Sequence, residues 1–271
     1  MSRLKLRSGP FGFAAASSIL ALAATVCGAH AHTFWMEPRV EADRLKVEFL
    51  VGDHGDRSPW NFQRDRIESL LLHTDEGATS LAAVATPAAA EKAGYVVAPV
   101  PREGVVMVSF ASTPANIVLA QEKFESYARD EGVTPILDAL KSYDKPAWSE
   151  NYSRRAKTIV GRPSASDGRV FEPIGHELEI TPNADVYRDG AAAAFRVWRS
   201  GEPMAGVTVF AQNLDDINEP SSKSVSDENG YVAFDAMDGG AWRLGSVWSD
   251  VEEDGDDVQV TSYFSSLTLR W

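Results

Sequence analysis

Leu45-Lys-Val-Glu-Phe-Leu-Val51 sets apolar Leu45, Val47, Phe49 and Val51 against Lys46 and Glu48. Successive strand side chains point to opposite faces, so this period of two predicts a half-buried β-strand. Neighbouring segments repeat the pattern. Arg66 to Thr74 holds a Leu70-Leu71-Leu72 core, and Val105 to Ala111 and Asn116 to Ala120 read the same way. Gly52, Gly77, Pro87, Pro101, Gly104 and Pro114 punctuate these runs as turn residues. Short strands at this spacing predict an antiparallel sandwich.

A helical stretch interrupts the strands. Ala120 to Glu131 is rich in helix formers, with Phe124, Tyr127 and Ala128 on one face and Gly132 as a stop. Thr134-Pro135 reads as an N-cap followed by proline in the first turn of a second helix carrying Ile136, Leu137 and Leu140. Trp148 to Lys157 is read as a third. These helices are expected to cover one end of the sheet.

Gly, Pro, Ser and Asp dominate from Gly161 to Gly168, where a domain boundary is expected. Beyond it, strands are predicted at Glu177–Ile180, Ala193–Trp198, Val207–Gln212, Tyr231–Asp235, Ala241–Ser249 and Val258–Thr268. Gly201-Glu202-Pro203 and Asp227-Glu228-Asn229-Gly230 read as hairpin turns. The expected fold is therefore mainly β. It has two antiparallel β-sandwich domains, residues 32–165 and 166–271, with a short helical insertion in the first.

Residues 1–31 have the layout of a cleavable signal peptide. Arg3, Lys5 and Arg7 precede an apolar stretch from Phe11 to Val26, and Ala29-His30-Ala31 forms an A-x-A cleavage site. The expected location is the periplasm. The full chain of 271 residues carries a net charge of -13 and one cysteine. Losing the leader removes thirty-one residues, three basic groups, Cys27 and His30, leaving 240 residues at -16 with no cysteine. That balance argues against nucleic-acid binding, which needs a basic face. The absence of thiolates leaves only nitrogen and oxygen ligands for any metal. After cleavage no apolar run is long enough to span a bilayer.

Cleavage after Ala31 would make His32 the first residue. Its α-amine and imidazole would then chelate one ion together, a donor pair suited to nickel, cobalt, copper or zinc. His54, in Gly52-Asp53-His54-Gly55-Asp56 after a strand, is the expected second ligand. His73 ends a strand and reads as structural. His176-Glu177 opens like a metalloprotease helix, but the second histidine of H-E-x-x-H would fall at Ile180. Asp250 to Asp257 lacks the calcium-loop spacing and reads as a solvated hairpin loop. There is no G-x-S-x-G, phosphate-binding loop or dinucleotide fingerprint, so no catalytic residue is assigned. The seven tryptophans are expected to fill the core.

Several segments in order resemble the NikM-like family of periplasmic components of cobalt or nickel transport systems. They are His32-Thr-Phe-Trp-Met-Glu-Pro38, Val51-Gly52, Glu122-Lys-Phe-Glu-Ser-Tyr127, Glu131-Gly132 and Tyr152-Ser-Arg-Arg-Ala-Lys157. Pro173-Ile-Gly175, Leu178-Glu179, Pro182, Gly201-Glu-Pro203, Ala205-Gly206, Asp227, Asn229-Gly230 and Ser262-Tyr-Phe-Ser-Ser-Leu-Thr268 continue the series. The C-terminal half also looks like a transthyretin-like or carboxypeptidase-regulatory sandwich, a binding and spacer module. The resemblance implies a non-catalytic accessory protein that binds a transition-metal ion and serves an inner-membrane metal transporter. Relatives often carry a histidine where this chain has Trp248. Two other readings stand beside this one: a structural or interaction module without metal, and a copper enzyme using His32.

Overall fold

The computed structural model of the protein describes residues 33–41, 43–52, 56–99, 104–164, 167–188, 190–216, 221–235, 237, 239–254 and 257–271. The chain runs β1 (Thr33–Glu41), β2 (Arg44–Gly52), β3 (Ser58–Pro59), β4 (Ile67–Thr74), β5 (Gly77–Ser80), β6 (Tyr95–Pro99), β7 (Val106–Ser112) and β8 (Ala115–Ala120). Helices α1 (Gln121–Glu131) and α2 (Thr134–Ser142) follow, then β9 (Ala147–Val160), β10 (Leu178–Pro182), β11 (Ala193–Arg199), β12 (Glu202–Pro203) and β13 (Thr208–Asn213). β14 (Ser222–Val225), β15 (Tyr231–Phe234), β16 (Ala241–Asp254) and β17 (Asp257–Arg270) complete it.

A nine-stranded central sheet runs β14-β13-β16-β17-β9-β7-β4-β5, with β8 also paired to β9. One four-stranded sheet (β1, β2, β3, β6) packs on its front face, beside the two helices. Another (β10, β11, β12, β15) packs on its back face. The result is a mainly β, sandwich-like protein in which the two outer layers share one central layer. The centre departs from the antiparallel expectation. β9 and β17 lie parallel from Val260↔Glu150 to Arg270↔Val160, joining strands from both sides of position 165. The expected boundary residue 165 itself lies outside the described residues.

Strand β9 settles why three layers form. Its even positions Trp148, Ala156 and Val160 enter the front cores, and its odd position Ile159 enters the back core. Residues 147–151 alternate between exposed and buried, but from residue 155 onward both faces are buried and Arg155 and Lys157 sit inside, so the expected apolar–polar alternation is lost there. This explains the reading of Trp148–Lys157 as a third helix, which β9 corrects. The other two helices form where expected. Phe124 of α1 stacks on Trp148 with ring centroids 5.4 Å apart. In α2 the cap position is Val133 and Thr134 is already helical, a one-residue shift at a frayed end.

The Ser200–Gly201 turn does form a hairpin, pairing Trp198 with Pro203 and Arg199 with Glu202. Asp227–Gly230 does not. It carries the chain from β14 in the central sheet to β15 in the back sheet. The turn itself is as expected, with Asp227 Oδ1 accepting from the Asn229 and Tyr231 amides. What the turn chemistry leaves open is which sheet the next strand joins. All seven tryptophans are core residues or pack against a core, as expected.

Candidate functional site

His32 and His54, the expected ligands, both lie outside the described residues, but their chain neighbours do not. Thr33 opens β1 and Gly52 closes β2, and the two are partners in the antiparallel register. The β2 end is tightly folded. A Cβ on Gly52 would collide with the Asp56 carbonyl, so the chain leaves and re-enters the described structure at one point. Arg57 then donates from Nε to Glu37 Oε2 at 3.0 Å, and Ser58 pairs with Val51. The β1 end rests on the central sheet. A Cβ on Gly245 would lie 3.0 Å from Thr33 Cγ2, so glycine is what permits this close approach. Arg243 stacks on Trp35 with its guanidinium 4.3 Å from the ring centroid.

His73 and His176, which are described, belong to a polar cluster on the back face. The registers place Leu71 opposite Ser109 and Ser109 opposite Lys157 on adjacent strands. His73 Nε2 lies 2.7 Å from Ser109 Oγ. Lys157 Nζ donates to Glu179 Oε1 at 2.6 Å, and both residues are 1% exposed. The Glu179 carboxylate also accepts from the amides of Ile174, Gly175 and His176. Beside it Arg155 grips Glu177 with two bonds, 2.6 and 2.8 Å, and meets Glu68 at 3.1 Å.

The chemistry of this cluster is that of a fixed internal charge network. Burial pushes the His176 imidazole down to about 4, opposed by Glu179. Burial also lowers His73, and Lys157 and Arg169 reinforce this. The neutral form of both histidines is therefore favoured, and Lys157 is a cation acting on each of them. The Ser109–His73 contact has nucleophile–base spacing. Its hydroxyl is only 1% exposed, on a strand flanked by β4 and β9, so it ties strands together instead of meeting a substrate.

A second buried carboxyl sits on the front face. Tyr127 of α1 donates to Glu150 Oε1 at 3.2 Å. Ser262 bonds the same carboxyl, and Ser249 Oγ lies 2.7 Å from Ser262 Oγ. Burial raises the Glu150 carboxyl above its ordinary range despite these donors. The Tyr127 phenol is raised as well, by burial and then by Glu150.

The remaining sequence candidates fall into place structurally. Asp250 lies in β16 and pairs with Arg199. The acidic stretch forms the β16–β17 hairpin, with Asp254 opposite Asp257. Trp248 faces the back core and pairs with Tyr263. Among the described residues no group of three or more His, Cys, Asp or Glu side chains could hold a metal ion. No helix among them is long and apolar enough to cross a membrane. Sequence reading missed the Lys157–Glu179 and Arg155–Glu177 pairs. The available signal was two charges at i and i+2 in each segment, which places both on one face of a strand. Reading β9 as a helix hid it.

No curated protein matches the chain. Among solved structures it is similar to a biofilm-associated protein's BSP domain, at 11% identity with a TM-score of 0.18. That likeness covers 86% of this chain, which spans 29% of the solved one. The domain of unknown function DUF4198 matches residues 29–250, and the chain belongs to that family.

Proposed function

We propose that this protein is an exported transition-metal-binding accessory protein of the NikM-like kind, with nickel or cobalt as cargo and His32 and His54 as ligands. The observation that carries the reading is the Thr33↔Gly52 pair at the end of β1 and β2. His32 is one peptide bond from Thr33 and His54 two from Gly52, at about 3.8 Å per step. Chain connectivity therefore tethers both histidines to one sheet end. Removal of residues 1–31 would add the α-amine of His32, giving three nitrogen donors suited to nickel, cobalt or copper. A net charge of -16 after cleavage favours approach of a cation. Half-buried His73 and buried His176 share their surroundings with Lys157, whose ammonium repels a metal ion. Handing the ion to an inner-membrane transporter is the partner step this reading implies.

The test is a nickel and cobalt titration of protein that starts at His32, beside a form with one residue added before His32 and the variant His54→Ala. The expected outcome is one tight site that both changes weaken at least tenfold. Binding should also weaken as pH falls through the imidazole range, because each ligand must shed its proton. Equal binding by all three forms removes the site.

A further inference from the structure

We propose that a cleft beneath the outer half of β1 binds a small organic carboxylate. The cleft has a volume of about 480 Å³ and lies between Glu37–Val40 of β1, Arg57, Leu214–Asp215 after β13, and Arg270 at the end of β17. That is within the range of about 300–1,000 Å³ typical of small-molecule sites. Four separate chain segments build it, of which only Arg57 adjoins the histidine-bearing strand end.

Its lining is richer in guanidinium groups than the acidic chain around it. Three guanidiniums (Arg39, Arg57, Arg270) line it against two carboxylates (Glu37, Asp215), in a chain of net charge -13. The carboxylates are already committed. Glu37 accepts from Arg57 and from the Trp35 indole at 3.3 Å. Asp215 accepts from Arg270 at 3.2 Å and from the Ala241 amide at 2.8 Å. The guanidiniums are not used up. Arg57 gives Nε to Glu37 and Nη2 to the Leu214 carbonyl. Arg270 spends Nη2 on Asp215, while its buried Nε has no partner among the described residues. Arg39 is held loosely, with Nε 3.2 Å from Glu48 and Nη2 3.7 Å from Glu37. A guanidinium carries five N–H donors and no acceptor, so although Glu37, Glu48 and Asp215 balance the three charges, the cleft keeps surplus donors. A ligand must bring acceptor oxygens, and a charged one accepts most strongly.

A carboxylate matches the planar fork of arginine with two parallel bonds. The apolar side of the cleft favours an organic acid over a bare inorganic anion. Val40 is 47% exposed, so a short carbon skeleton has surface to cover.

Calorimetric titration of the cleaved, full-length mature protein at low ionic strength tests this, with succinate, inorganic phosphate, succinamide and putrescine as separate probes. Succinate is expected to bind one-to-one, with succinamide and putrescine showing no saturable heat. Arg39→Gln and Arg270→Gln should each weaken succinate at least tenfold, and Lys141→Gln on α2 should leave it unchanged. Arg39 is on the rim with a side chain 56% exposed, so its variant keeps the fold. Absence of saturable succinate binding overturns the proposal. So does phosphate binding as tightly as succinate, or wild-type succinate affinity in both arginine variants.

Discussion

Strand β9 carries a buried glutamate network on each of its faces, and the two networks titrate in opposite directions. On the back face, Glu179 meets the Lys157 ammonium and three backbone amides. Burial alone would raise its carboxyl, but Lys157 and those donors hold it below the ordinary range. On the front face Glu150 has hydroxyl donors from Tyr127 and Ser262, with Arg154 a weaker influence, and burial wins. Hydrogen bonds to neutral hydroxyls do not offset removal from water, whereas a contacting opposite charge does. The same strand therefore favours the charged carboxylate on one side and disfavours it on the other.

The largest way to break this contrast is Lys157→Met. It leaves the Glu179 charge buried without its ammonium, and a loss of about 3–5 kcal/mol in urea unfolding is expected. A loss below about 1 kcal/mol would show that the amides of residues 174–176 suffice. Next comes Ser109→Ala, which removes the partner of His73 in the same network. About 1 kcal/mol is expected, the ordinary worth of one such bond.

The smallest effect at neutral pH, and the sharpest test, is Glu150→Gln, expected to stay within about 1 kcal/mol because the amide oxygen still accepts from Tyr127. Its signature is in pH dependence. A raised carboxyl contributes stability below its ordinary value of 4.5 that is lost as pH rises through the folded value. Glu150→Gln should therefore flatten the stability curve on the neutral side of 4.5. Glu179 is the reverse: its contribution is present above 4.5 and lost as pH falls through a lower folded value. Glu179→Gln should alter the acid side. Unfolding curves for both variants across pH 3–8 check the pair, and the same slope change in both would abolish the distinction.

Much of the fold was legible because half-buried strands keep a period of two. Leu45–Val51 and the segments at 67–74 and 106–112 fall where alternation or apolar runs put them. β9 was not legible, because its C-terminal part is buried on both faces and carries Arg155 and Lys157 toward one layer while Trp148 and Ala156 face the other. Its charged residues then resemble an exposed helical face. Turn chemistry behaved likewise. Asp227 and Gly230 specify a turn, but only packing decides that β15 crosses to the other sheet.

For the candidate sites the division is similar. The leader-like layout of residues 1–31, the charge balance, the single cysteine at position 27 and the histidines at 32 and 54 are properties of sequence alone. They set which ligand chemistry is available, because donor atoms and net charge do not depend on folding. That Thr33 and Gly52 are partners, that Glu179 finds Lys157, and that three arginines from distant segments surround one cleft were decided by tertiary structure. Each depends on contacts between segments far apart in the chain, and local pattern carries no information about which distant partner completes the burial.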